Sequence, residues 1–216
     1  MIKASGAARG RCYDGRVNSS AIQLPRELRT VFLDRDGVLN EKMPEGQYVT
    51  RWEEFRPLPG VAESIARLNQ AGIRVIVVSN QRGIARGLYT TADVDAIHAR
   101  FQELLRSRGA RIDAIFVCPH DKGECGCRKP LPGMFEQAVS RFPAITAASS
   151  AMIGDSLVDI DFGRGIGMAT VFVEGDPARR HGAAPQARER ATASFNSLAE
   201  AVDALLAASG STAAKA

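Results

Sequence analysis

Four apolar runs of one design set the tightest limit on what this chain can fold into. "TVFLD" ends on Asp34, "IRVIVVSN" on Ser79 and Asn80, "IDAIFVCPH" on Cys118 and His120, and "SAMIGD" on Asp155. Each is short, rich in β-branched residues and apolar at successive positions, as expected of strands buried on both faces. A fifth run, "ATVFVEG", follows at 169–175. Helical patterns lie between the runs. Residues 60–71 put Val61, Ile65 and Leu68 on one face, and Thr90 with Asp93 forms a capping box before a helix with Val94, Ile97, Phe101, Leu104 and Leu105 inward, ended by Gly109. Pro132 is placed to open a helix over "GMFEQAVSRF", and Ser197 with Glu200 caps a last helix carrying Leu198, Val202, Leu205 and Leu206. This alternation predicts a Rossmann-like α/β fold: a central parallel sheet, right-handed crossovers and helices on both sides, in three layers. Ligands of such sheets sit beyond the carboxyl ends of the strands, which is where all four runs leave their polar residues.

The spacing between runs leaves no room for a large cap domain between Asp34 and Ser79 or between Ser79 and Lys129. One folded domain is expected over 29–207, between an N-terminal tail (1–28) and a C-terminal tail (208–216), with 175–194 read as a mobile loop. The net charge of +4 raises the question of nucleic acid. Residues 1–29 hold six Lys/Arg against two acids, so 30–216 carries 22 of each sign and sums to zero. The excess therefore sits on the expected tail and not on a folded face, which argues against a nucleic-acid partner. With no run of about 18 apolar residues a membrane span is not expected. The first 20 residues lack the apolar stretch of a secretory signal, so a cytoplasmic location is expected. Nothing in the pattern calls for a second copy, and a monomer is expected.

Carboxylates at the edge of a core are costly unless a cation, hydrogen bonds or chemistry compensates them. Asp34, Asp36 and Asp155, brought to one sheet edge, would repel one another. A hard divalent cation with oxygen ligands, Mg²⁺ above all, removes that repulsion. A carboxylate beside Mg²⁺ can attack phosphorus and form an aspartyl-phosphate. Ser79 offers a hydroxyl to phosphoryl oxygens and Lys129 a positive charge, the electrostatic help that carries most phosphoryl-transfer catalysis.

The stretch "CPHDKGECGCRKP" sets Cys118, His120, Cys125 and Cys127 in one short loop. Three thiolates and an imidazole match a closed tetrahedral Zn²⁺ site, with no open position for a catalytic water, so a structural zinc is expected. In a reducing compartment such a cluster reads as metal binding and not as a disulfide framework. Arg128 and Lys129 follow the last cysteine, so the loop is expected to place two cations at the phosphate site.

D-x-D-G after the first strand, Ser79 after the second, Lys129 in "RKP" and "GDSLVD" after a later strand together resemble the haloacid dehalogenase-like phosphatases. The resemblance implies that Asp34 is the nucleophile and Asp36 the general acid/base. It also implies that Mg²⁺ is held by the side chains of Asp34 and Asp155 and the backbone carbonyl of Asp36. Asp159 reads either as support for the metal's waters or as a helix-N-terminal acid. The zinc loop before "CRKP" is similar to the branch containing D-glycero-D-manno-heptose 1,7-bisphosphate 7-phosphatases and histidinol-phosphate phosphatases. "SNQRGIARGLYT" and "CRKPLPGM" are similar to the heptose members, while the shortness of the zinc loop is nearer the histidinol type. From that likeness substrate contacts fall on Ser79, Asn80, Gln81, Arg82, Arg128, Lys129 and Ser156. The stretch "NEKMPEGQYVT" is a few residues longer than the family's usual one, and further contacts fall on it around Glu45, Gly46, Gln47 and Tyr48.

An open site flanked by Arg82 and Arg128 suits a small substrate with a second anionic group, because a guanidinium grips phosphate with two parallel bonds. That favours a sugar bisphosphate over histidinol phosphate, whose far end is cationic. The reading of a different class is a zinc-stabilised module that binds nucleic acid through its basic tail. Among the remaining features, His98 reads as a helix-face residue and His181 as exposed, while "GRGIG" (163–167) reads as a close-packed turn before the fifth strand. Trp52 and Phe55 read as packing for the approach to the first helix.

Overall fold

Six strands, all parallel, run in the order β3-β2-β1-β4-β5-β6 through the centre of the molecule. The structure is a computed structural model that describes residues 23–175 and 182–210. Residues 1–22 of the expected basic tail, with Cys12, lie outside the described residues, as do His181 and the last six residues. The elements are β1 (Thr30–Leu33), α1 (Val61–Gln70), β2 (Arg74–Asn80), α2 (Arg82–Ala85), α3 (Thr91–Arg106), β3 (Ala114–Cys118), α4 (Gly133–Arg141), β4 (Ser150–Gly154), α5 (Leu157–Ile166), β5 (Ala169–Val173), α6 (Ala184–Arg190), β6 (Ala193–Phe195) and α7 (Leu198–Gly210). A short 3₁₀ turn spans Trp52–Glu54.

The five apolar runs are β1 to β5, and their continuous apolar character follows from burial on both faces. Successive side chains of a strand point to opposite sides, so Val31 and Leu33 join one core with Val75, Val77 and Ile153, under Ile65 of α1, Phe101 of α3 and Val202 of α7. Phe32 joins the other with Ile76, Val78 and Met152, under Met134 of α4 and Phe162 of α5. This is the expected three-layer α/β/α arrangement. The capping box of α3 is present, with Asp93 N–H donating to Thr90 Oγ1 and Thr90 N–H to Asp93 Oδ2. Phe55 stacks on Trp52 and meets Phe101 at 4.9 Å between centroids, which fixes the approach to α1. No helix among the described residues is long and apolar enough to cross a membrane.

Two expectations need correction. The stretch 175–194, read as a mobile loop because it is polar and Arg-rich, contains α6 and enters β6, which pairs with β5 from Val171↔Ala193 to Val173↔Phe195. Its order comes from a local core: Ala184 and Ala187 pack on Ile160 and Phe172, and Arg188 grips Glu174 with two bonds of 2.6 and 2.7 Å. "GRGI" is the last turn of α5 and not a turn between elements; Gly163 lies inside the helix because a Cβ there would run into Thr170 and Met152, and Gly167, at φ +89°, ends it. His98 lies on α3 as expected, on the helix's buried side. The last helix runs from Leu198 to Gly210.

Candidate active site

The sheet order reverses at β1, whose neighbours are β2 and β4. Crossovers leave opposite ways there, and a crevice opens beyond the carboxyl ends of the strands. Asp34 ends β1, its N–H continuing the ladder to Ile153 O (3.0 Å), and Asp155 follows β4. Gly37, at φ +95°, makes their approach possible, since a Cβ there would collide with the Asp155 carboxylate. A cavity of about 500 Å³ opens here, lined among others by Asp34, Asp36, Lys42, Ser79, Lys129 and Asp159.

Asp34, Asp155 and Asp159 bring carboxylate oxygens within 4.8 Å of one another. Burial and the Asp159 charge push the Asp34 carboxyl up to about 7, against the lowering pull of Lys129. Lys129 is deeply buried; its ammonium donates to Asp34 Oδ1 (2.8 Å), Asp159 Oδ1 (2.6 Å) and Val78 O (2.8 Å). Burial works to lower its pKa, but Asp159 and Asp34 outweigh it and raise it. Lys42 donates to Asp155 Oδ2 at 2.5 Å. A set of carboxylates this close, held together by ammonium groups, has the chemistry of a hard-cation site. Asp159 is also the N3 acid of α5, with Ser156 Oγ donating to its Oδ2 (2.5 Å).

Asp36 has opposite surroundings. Arg35 donates from Nε to Oδ2 (3.1 Å) and from Nη2 to Oδ1 (2.9 Å), Asn40 Nδ2 to Oδ1 (3.0 Å) and Gln81 Nε2 to Oδ2 (3.0 Å). Burial works to raise this carboxyl, yet Arg35 and the two neighbouring amide donors hold it below the usual carboxylate range. Arg35 itself is 1% exposed, an uncommon place for a guanidinium.

The second cluster lies where β3 ends. Cys118, His120, Cys125 and Cys127 bring their ligand atoms within 4.8 Å of one another. Sγ–Sγ separations are 3.5 Å (Cys118–Cys125) and 3.3 Å (Cys125–Cys127), and His120 turns Nδ1 to Cys127 (3.4 Å) and Cys118 (3.8 Å). Zn–S bonds of about 2.3 Å at tetrahedral angles separate sulfurs by about 3.8 Å, so this donor set fits zinc after a small expansion. The loop is seated on α4: at Gly133 a Cβ would fall 2.6 Å from Gly126 O.

Of the expected substrate contacts, Ser79, Asn80, Lys129 and Ser156 line the cavity, whereas Gln81, Arg82, Arg128 and the stretch Glu45, Gly46, Gln47 and Tyr48 do not. Gln81 is buried behind it, bonded to Asp36 and to Ser79 Oγ (2.8 Å). Arg82 pairs with Asp121 of the cysteine loop (2.5 Å), and Arg128 Nη1 donates to His120 O (3.3 Å). Tyr48 packs its ring against Tyr89, 5.8 Å between centroids. Asn80 is committed to Lys129, whose backbone N–H it accepts (3.0 Å) and whose carbonyl it donates to (3.1 Å). The rest of the wall is Leu157 and Val158 of α5 with Gly182 and Ala183, and the 41–50 segment contributes Lys42. Sequence reasoning missed Lys42, Arg35 and Asn40. Asn40 had a usable signal, four residues past Asp36 at the end of "DRDGVLN"; Lys42 had none.

The comparisons with known proteins agree with this geometry. The profile of the haloacid dehalogenase-like hydrolases matches residues 23–167. A protein named D-glycero-β-D-manno-heptose-1,7-bisphosphate 7-phosphatase from Bordetella bronchiseptica is 40% identical over 154 residues, 71% of this chain and 84% of that one. A Mycobacterium tuberculosis protein named for the α anomer of the same compound is 40% identical over 140 residues, 64% of this chain and 73% of that one. Among solved structures, the D,D-heptose 1,7-bisphosphate phosphatase of B. bronchiseptica, complexed with magnesium and phosphate, superposes with a TM-score of 0.73 at 34% identity, covering 83% of this chain and 99% of that one. On the matched profile and on relatives at this identity, the chain belongs to the haloacid dehalogenase-like hydrolase family.

Proposed function

We propose that the chain is a Mg²⁺-dependent phosphomonoesterase that works through an aspartyl-phosphate and removes the 7-phosphate of D-glycero-D-manno-heptose 1,7-bisphosphate. The observation that carries this reading is the meeting of Asp34 and Asp155 at the sheet's switch point, with Lys129 and Ser79 on the same cavity wall. Asp34, Asp155 and the Asp36 carbonyl would hold the ion. A bound Mg²⁺ supplies positive charge shared by these carboxylates and the phosphoryl oxygens. Lys129 engages Oδ1 of Asp34, leaving Oδ2 to attack phosphorus. Ser79 accepts from Gln81, so its own hydrogen is available to a phosphoryl oxygen. Asp36 gives a proton to the departing sugar oxygen and then takes one from the water that cleaves the acyl phosphate. In the resting site Asp34 is raised and Asp36 lowered, the reverse of what the first step needs. Positive charge beside Asp34 and a phosphate dianion beside Asp36 shift both in the productive direction.

Zinc on the four Cys/His ligands is part of the reading, as a structural ion. A zinc-selective chelator, with Mg²⁺ then restored, is expected to lower the thermal midpoint and the turnover together; a fully active zinc-free protein would contradict it. For the substrate, Arg82, Arg86 and Arg128 gather at the cysteine loop, where Arg82 and Arg86 share Asp121. This cationic rim favours a second phosphate over the ammonium of histidinol phosphate, the rival substrate. Phosphate release compared as kcat/KM tests the choice: the heptose bisphosphate is expected to lead by at least about tenfold, worth about 1.4 kcal/mol, and a preference for histidinol phosphate would reverse it.

A further inference from the structure

Tyr89 plays no part in the reading above, yet it is tied to Asp36 through one intermediary. It is buried at the end of the α2–α3 connection, and its hydroxyl donates to Gln81 Oε1 at 2.7 Å. The opposite end of that amide, Nε2, serves both Asp36 Oδ2 (3.0 Å) and Ser79 Oγ (2.8 Å). We infer that Tyr89 is a positioning residue for the acid/base Asp36, acting by fixing which end of the Gln81 amide faces the site. The inference rests on the phosphatase reading and the role it gives Asp36.

An amide has a donor end and an acceptor end, and either can be turned toward a neighbour. Against an ionised Asp36 the donor end is favoured on its own. Against a protonated Asp36 it is not, because a reversed amide would offer Oε1 to the carboxyl hydrogen and draw it away from the leaving oxygen. Tyr89 removes that option by claiming Oε1. A phenol donates more readily than it accepts, because its oxygen lone pair is shared with the ring, so its hydrogen goes to the amide oxygen. Gly83 is what lets the ring so close: a Cβ there would overlap Tyr89 Cε1. With Arg35 and Asn40, every neighbour bonded to Asp36 is then a donor. A proton on Asp36 has the substrate oxygen as its acceptor.

The test uses the full chain with Mg²⁺ and two monoesters. The sugar phosphate needs its leaving alkoxide protonated, whereas 4-nitrophenolate leaves without help. Tyr89→Phe is expected to lower kcat/KM on the sugar phosphate by about tenfold and on 4-nitrophenyl phosphate by less than about twofold, a fraction of the 10²–10⁴ that general acid catalysis supplies. KM for the sugar phosphate should stay within about twofold. In a Gln81→Leu background Tyr89→Phe should have no further effect on the ratio of the two substrates. Equal losses on both substrates, no loss on either, or additive effects in the double variant would overturn the inference. A wild-type protein that hydrolyses neither ester would overturn the phosphatase reading instead, and this inference with it.

Discussion

Asp34 and Asp36 are separated by one residue and live in opposite surroundings. The first sits among Asp155 and Asp159, with its carboxyl pushed up to about 7 by burial and by the Asp159 charge. The second is gripped by a buried guanidinium and two side-chain amides and is held below the usual range. β1 ends at Leu33, so the two side chains leave a turn rather than a strand, and the turn at Gly37 carries them toward different neighbours. One loop thus prepares a group crowded by other acids and a group surrounded by donors. Identical chemistry is made unlike by neighbours alone.

The largest effect expected from breaking this contrast is on turnover. Asp34→Asn should lower kcat by at least about 10⁴-fold if its carboxylate forms the covalent bond, while the metal-free thermal midpoint holds or rises, because a crowded carboxylate is gone. Asp36→Asn should lose activity and stability together, since it leaves the charge of Arg35 buried without its partner. Stopped phosphate release and calorimetry on the two variants check both halves. The next effect is on stability. Arg35→Met should cost about 3–5 kcal/mol in urea unfolding, as for other buried pairs that lose one member; a loss below about 1 kcal/mol would mean that the fork contributes little.

A smaller effect is a pH slope. A raised carboxyl such as Asp34 contributes stability that is complete below pH 3.8 and lost as pH rises through about 7. Metal-free protein should therefore lose stability from this group between about pH 4 and 7, and Asp34→Asn or saturating Mg²⁺ should flatten that decline. Asp36, being lowered, has the opposite sign: its contribution is present above pH 3.8 and disappears as pH falls below it. The smallest effect belongs to His98, which burial and Arg35 push down to about 4. Its contribution is present above pH 6.5 and lost as pH falls through about 4, so His98→Leu should remove a shallow acid-side loss seen in chemical denaturation.

Much of this contrast could be read from the chain before any coordinates, and the parts that could not share a cause. Each strand end was marked by its own residue, so Asp34, Ser79, Cys118 and Asp155 declared the sheet edge and the parallel order placed them together. The cysteine spacing is local and reads directly. Lys42 reaches Asp155 across 113 positions from an irregular segment, and no periodicity forecasts such a meeting. Arg35, between two acids, looks like a solvated charge until its burial against Phe55 is known. α6 and β6 hide in a polar stretch because its own share of their core is three alanines, Ala184, Ala187 and Ala191, too small to leave a pattern.

Asn80 bonds both backbone groups of Lys129, as a neighbouring strand would. The lysine is thereby moored to β2 by a side chain as well as by the ten residues of loop that precede it. An exposed spacer residue such as Lys122 can be exchanged without displacing the ammonium from Asp34. What surrounds the far end of a substrate can drift while the charge at the reacting phosphorus keeps its place.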